Sequence, residues 1–176
     1  MPSTYKIIQA ITVGSGGSSA LDFTSIPNTY TDLILKVSGR ITTAAIDTHI
    51  SLRFNNNSGN SYSFKRVIGN GAGPGTGASS YGETNETSMN FYSTVNGASS
   101  TTSTFSNIEF YIPNYASSNT KTISFDGVLE NNAVTAYASI YAGLWNNTAA
   151  INQITLTGSA NFLQHTTAYL YGVSNA

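Results

Sequence analysis

Apolar and polar residues alternate with a period of two along most of this chain. In one run, Leu33, Leu35, Val37 and Ile41 share a side, and Asp32, Lys36, Ser38 and Arg40 take the other. The next run repeats the arrangement, with Ile46, Ile50, Leu52 and Phe54 against Asp47, His49, Ser51 and Arg53. Period two is the signature of a strand. A strand with one wet and one dry face belongs in an antiparallel sheet. The same pattern predicts strands at 5–13, 19–24, 31–41, 46–54, 61–68, 88–94, 103–112, 120–130, 134–145, 150–157 and 166–173. Turn clusters at 14–19, 55–60, 69–80, 96–102, 114–119 and 146–147 separate them, rich in the Asn and Gly that tolerate positive φ. Asn131-Asn132, between two strong runs, predicts a tight hairpin turn. No long stretch keeps apolar residues at helical spacing.

So many strands must bury two inner faces against each other. The expectation is an all-β chain: a single antiparallel β-sandwich domain over 1–176, jelly-roll-like, with 69–80 as a loop inside the fold. No repeat or linker marks a second domain. The run from Val134 to Trp145 is unusual. Its even positions are small or aliphatic (Val134, Ala136, Ala138, Ile140, Ala142, Leu144), and its odd positions include Tyr137, Tyr141 and Trp145. The small side is expected to pack on the facing sheet. The rings, apolar bodies with one polar tip, suit packing beneath loops of the same chain, a contact between subunits, or a ligand surface. Tyr137, Tyr141 and Trp145 are therefore the candidate subunit interface.

Composition sharpens the picture. Ser, Thr and Asn number 24, 23 and 19 of 176 residues, a choice that favours strands and turns over helices. Only 9% of residues are charged and the net charge is −1, so the basic footprint of a nucleic-acid binder is missing. No apolar run reaches the ~18 residues that would span a membrane as a helix. Residues 1–9 lack the apolar core and small-residue cleavage site of a secretory signal. There is no cysteine, and a chain of this size needs no disulfide or metal staple.

Candidate chemistry is sparse. His49 shares a strand face with Asp47 and Ser51, but neighbours at i and i+2 stand parallel and do not build the convergent geometry of a triad. His165 sits before the last strand, and two histidines in different segments fall short of a zinc site. Glu83 and Glu86 share one polar segment, and Asp126 and Glu130 lie near a strand end; nothing singles out a hydrolytic pair. The run Gly69-Asn70-Gly71-Ala72-Gly73-Pro74-Gly75-Thr76-Gly77 lacks the Gly-Lys-Ser/Thr ending and the following helix of a phosphate loop, and is expected to be a mobile surface loop. The sequons at Asn56, Asn85 and Asn146 are what an Asn-rich chain produces by chance. Lys36, Arg40, Arg53, Lys65 and Arg66 fall in the first half, spread over wet strand faces. The expectation is a chain with no enzymatic activity, no cofactor and no metal.

Two segments carry a resemblance. One is Phe23-Thr24-Ser25-Ile26-Pro27-Asn28-Thr29-Tyr30-Thr31-Asp32-Leu33, followed by Ser38-Gly39-Arg40; the other is Asn161-Phe162 and then Thr166-Thr167-Ala168-Tyr169-Leu170-Tyr171-Gly172-Val173. Their order and spacing, over essentially the whole chain, resemble small virion structural proteins of tailed bacteriophages. Physically, Ile26-Pro27 stops strand pairing, Tyr30 and Leu33 re-enter the core, and the Arg40 head can bond carbonyls or an acid. The resemblance implies a building block on the virion exterior with no catalytic residues. Because the chain starts directly in the domain at Tyr5 and ends with it at Ala176, a capsid decoration (cement) protein bridging capsomers is expected. Its partners would be copies of itself, in a symmetric oligomer such as a trimer, and the major capsid protein or another virion protein. The alternative is a tail-fibre or receptor-binding knob, or a minor tail component, with Tyr81, Tyr92, Tyr115 and Trp145 placed to stack on sugars.

Overall fold

The computed structural model describes residues 4–71, 77–134 and 136–174. Where the pattern alternates, the backbone is extended, and no helix occurs among the described residues. The strands are β1 (Tyr5–Thr12), β2 (Ser18–Phe23), β3 (Asp32–Gly39), β4 (Asp47–Phe54), β5 (Tyr62–Gly69), β6 (Ala78–Glu86), β7 (Met89–Asn96), β8 (Ser106–Ile112), β9 (Lys121–Leu129), β10 (Tyr137–Trp145), β11 (Ile154–Phe162) and β12 (Thr167–Val173). They form an eight-stranded sheet, in the order β1-β12-β3-β8-β9-β10-β5-β6, and a four-stranded sheet, β2-β11-β4-β7. Every strand pairing is antiparallel. The β-sandwich expected from the pattern is therefore present. Its strands divide eight and four between the two sheets.

The alternation explains the core. Leu33, Leu35 and Val37 of β3 and Ile50, Leu52 and Phe54 of β4 are all buried, as the two-residue period requires. Between the sheets, Phe91 of β7 stacks on Phe125 of β9 at 4.5 Å between centroids and meets Phe110 of β8 edge-on at 5.1 Å. Offset and edge-on contacts suit the ring quadrupoles.

The two segments behind the resemblance meet in space. The stretch from Phe23 to Leu33 crosses from the smaller sheet to the larger. Along it, the Ile26 N–H donates to Asn152 O at 3.0 Å and the Thr31 N–H to Val173 O at 2.8 Å, while the Tyr115 hydroxyl donates to Pro27 O. The Tyr30 ring lies against Gly172 of β12, where a Cβ would fall 2.3 Å from the ring atoms. Glycine at 172 is thus the space into which Tyr30 packs. Arg40, just past β3, is buried. Its guanidinium donates to the carbonyls of Thr101, Thr104, Ser100 and Ala98 at 2.8, 2.9, 2.9 and 3.2 Å. It bonds carbonyls, as the sequence allowed, and pins the connection between β7 and β8.

Three elements differ from expectation. β6 falls where a loop and a polar segment were expected: Ala78–Glu86 has no apolar alternation, and β5 supplies its register partners. Residues 72–76 of the glycine-rich run lie outside the described residues; on either side of them, Asn70 N–H donates to Gly77 O at 2.6 Å and closes a hairpin. β11 is shifted toward the C-terminus from the expected 150–157. Before it, the Asn55 side chain takes the place of a strand partner, accepting from Asn152 N at 2.9 Å and Gln153 N at 3.1 Å and donating to Ala150 O at 2.8 Å. The connection at Asn131-Asn132 is longer than a tight turn, since β9 and β10 close at Leu129 and Tyr137. Glu130 caps it, its Oε1 accepting from the N–H of Asn131 and Asn132 at 3.0 and 2.7 Å. Thr135 lies outside the described residues.

Candidate functional site

β10 keeps the expected parity and reverses the expected sides. Tyr141 and Trp145 are each 1% exposed within the single chain. Trp145 sits between Phe54, at 5.4 Å, and Tyr62, at 6.3 Å, and the Tyr141 hydroxyl donates to Tyr92 O at 2.8 Å. Both point into the sandwich and have no surface to offer a second subunit. Tyr137, at the start of the strand, is half-buried. The expectation that Tyr137, Tyr141 and Trp145 form a subunit interface is corrected at Tyr141 and Trp145, which are core; only Tyr137 keeps surface. The small side, Ala138, Ile140 and Ala142, faces solvent instead, because the sheet pairs β10 with β5 and β9 and turns the rings toward β7.

That outward face carries an apolar ridge. Ile140, Val67 and Val128 are 67%, 61% and 46% exposed. Ile140 is directly opposite Val67 on β5, and Val128 on β9 is opposite Ala138. Shallow hollows of about 520 Å³ and 330 Å³ flank the ridge, the first bordered by Lys65, Ser80 and Ala142, the second by Gly69, Asp126 and Ala138. Asp126 is opposite Ile140 on the other side. Partial burial, with the Glu109 carboxylate second, holds its carboxyl above the ordinary range, and Lys36 pulls it back. Lys36 and Glu109 form an ion pair at 2.8 Å. Further along the sheet, Tyr5, Ile7 and Tyr111 add exposed apolar surface.

A second feature sits on the inward side of the opposite edge. The smaller sheet ends at β7, while β5 and β6 carry the larger sheet onward. There the Arg66 guanidinium lies over the rings of Tyr81 and Tyr92, 5.4 and 5.6 Å from their centroids, a cation–π arrangement. The two rings meet edge-on at 6.4 Å and rest on Phe64. The Tyr81 hydroxyl donates to Glu83 Oε1. Arg66 Nε and Glu83 Oε2 are buried without a hydrogen-bond partner among the described residues. Of the four rings proposed for sugar contact, the structure brings Tyr81 and Tyr92 together. Tyr115 and Trp145 are core residues, 0% and 1% exposed. Arg66 was missed because in the sequence it is one basic residue on an otherwise ordinary strand.

The remaining candidates are dispersed. The His49 ring packs against Tyr92 at 5.5 Å, and Ser51 Oγ donates to Asn90 Oδ1 at 2.7 Å. His165 is an exposed turn residue with φ 71°. Among the described residues no three His, Asp or Glu side chains stand close enough together to share a metal ion. Lys121 is buried with its Nζ donating to the carbonyls of Ser117, at 2.8 Å, and Asn119, and burial lowers its pKa.

No family model matches the chain, and no curated protein matches it. Among solved structures, it is similar to an exo-inulinase from Aspergillus awamori, at TM-score 0.45 and 9% identity, covering 97% of this chain and 30% of that one. A fructofuranosidase from Schwanniomyces occidentalis complexed with fructose follows at TM-score 0.30 and 8% identity, over 99% of this chain and 35% of that one. Scytalido-glutamic peptidase gives TM-score 0.27 and 10% identity, over 93% of this chain and 66% of that one. The chain spans about a third of the length of the first and of the fructofuranosidase. All three are enzymes, and the expectation that this chain is not an enzyme is withdrawn on that ground. At TM-scores below 0.5 the likeness assigns it no activity, since a fold hosts many chemistries.

Proposed function

We propose that this chain is a structural subunit on the exterior of a tailed-phage particle, a capsid decoration protein that works by flat contact with copies of itself and with the major capsid protein. The observation that carries the reading is the ridge of Val67, Val128 and Ile140 on the open face of the eight-stranded sheet. Exposed apolar surface gathered on three adjacent strands marks a contact site. A second copy suits it. Ridge and hollows lie on the same face, and Lys65 and Asp126 border the hollows with opposite charge, so two copies can set ridge in hollow and acid against base. Low overall charge limits repulsion between many copies on a shell. The two segments that resemble virion proteins support the placement, and their contact at Tyr30 and Gly172 gives the pair a physical basis.

The test has two arms. Purified protein is added to assembled capsids lacking it, and binding is expected to saturate at a symmetric copy number and to raise resistance to heat or osmotic shock. Ile140→Lys, at a position open to solvent, is expected to leave the fold intact by circular dichroism while shifting the oligomer toward monomer in sedimentation. Capsids that bind none of the protein, or an Ile140→Lys variant that assembles like the parent, would overturn the reading. A receptor-binding knob is the second reading, favoured by the Arg66, Tyr81 and Tyr92 cluster.

A further inference from the structure

The overhang of the larger sheet beyond β7 has the attributes of a ligand site. It leaves an open hollow of about 400 Å³ lined by Arg66, Tyr81 and Tyr92, within the ~300–1,000 Å³ usual for small-ligand clefts. Tyr81 and Tyr92 stand at 77° to each other and make an aromatic corner, with Tyr81 46% exposed. Such a corner takes a ligand with a flat apolar face. The polar groups at the corner narrow the class. Arg66 Nε is a donor and Glu83 Oε2 an acceptor, neither with a hydrogen-bond partner among the described residues. Unpaired buried polar atoms are costly, and few persist without a role. A hydroxyl is donor and acceptor at once, and neighbouring hydroxyls match a guanidinium beside phenols. Both atoms are closed to solvent, so what a ligand meets at the hollow is the rest of the Arg66 guanidinium and the two phenol rings that line it.

Charge decides the rest. Three charges act on Tyr92 at this corner, the carboxylates of Glu83 and Glu86 and the Arg66 guanidinium. An acidic ligand would meet two carboxylates and a cationic one would meet the guanidinium. The ligand class that combines an apolar face, neighbouring hydroxyls and no charge is a neutral saccharide. We infer that the Arg66, Tyr81, Tyr92 and Glu83 corner is a binding site for a neutral glycan. This site lies on the inward side of the sheet edge and does not depend on the outward ridge, so failure of the docking test would leave it standing.

The experiment applies the whole purified chain to an array of neutral hexose oligosaccharides and of acidic counterparts bearing uronic or sialic acids. The neutral compounds that bind are then titrated by nuclear magnetic resonance. Expected are binding of at least one neutral compound and perturbation of the Tyr81 and Tyr92 ring signals in the unaltered protein. Tyr81→Ala, at an edge-strand position, is expected to lower the affinity roughly tenfold while thermal unfolding shows it folded. Tyr5→Ala, at an exposed ring on the far edge, is expected to bind like the parent. The inference is overturned if no neutral compound binds, if only acidic ones do, or if binding leaves the Tyr81 and Tyr92 signals unmoved. It is equally overturned if a folded Tyr81→Ala binds like the parent.

Discussion

At the scale of single residues, Gly172 shows how a missing side chain organises two distant segments. The Tyr30 ring occupies the place of its Cβ. Gly172→Ala is expected to displace the ring or β12 and to cost about 1–3 kcal/mol, read by denaturant unfolding. With Tyr30→Ala in the same chain, the two costs are expected to sum to more than the double variant loses, because the clash is gone. Titration gives a second prediction. Burial is the first cause that raises the phenol pKa of Tyr62, Tyr115 and Tyr141. The folded state then holds protons that the unfolded state gives up, so stability is level below the ordinary tyrosine value of 10.0 and falls as pH rises through the higher folded values. Tyr141→Phe is expected to cost about 1 kcal/mol at neutral pH, through its lost bond to Tyr92 O. It should also make the alkaline loss shallower, as followed by circular dichroism and phenolate absorbance. Positive φ was legible where turns were expected, at Asn55, Asn56, Asn114 and Asn132, but not at Asn85, which adopts it inside β6. The partner of Arg66 was not, since a cation–π pair across two strands leaves no local signal.

At the scale of elements, the alternating strands were readable and the polar edge was not. β4 and β9 each bury one face, and β3 does so apart from Ile34, which is covered on the other face, so two-residue periodicity marks them directly. β6 buries neither face fully and depends on β5 for its register. Its sequence carries no apolar period, and only pairing makes it a strand. Its amides are expected to exchange with solvent faster than those of β9 or β10, as measured residue by residue in the native protein. β11 was misplaced for a related reason: Asn55 holds residues 150–153 by side-chain bonds that imitate a strand neighbour.

At the scale of the whole molecule, unequal sheets create both candidate surfaces. Four strands cannot cover eight, so one edge overhangs and the broad outer face stays open. Parity along β10 told which residues stand together, but which side is inner follows from the order of strands across the sheet, and that order is set by contacts between residues far apart in the chain. This is why Tyr141 and Trp145 read as available rings and are core.

The pairing of β1 with β12 and of β2 with β11 has a consequence for biosynthesis. β1 and β2 leave a ribosome well before β12 and β11 and find these neighbours only after those strands emerge. Until then they present bare hydrogen-bonding edges, the situation in which strands join the wrong partner. Completion of this sandwich thus waits on β11 and β12, which hold the strands made earliest within it.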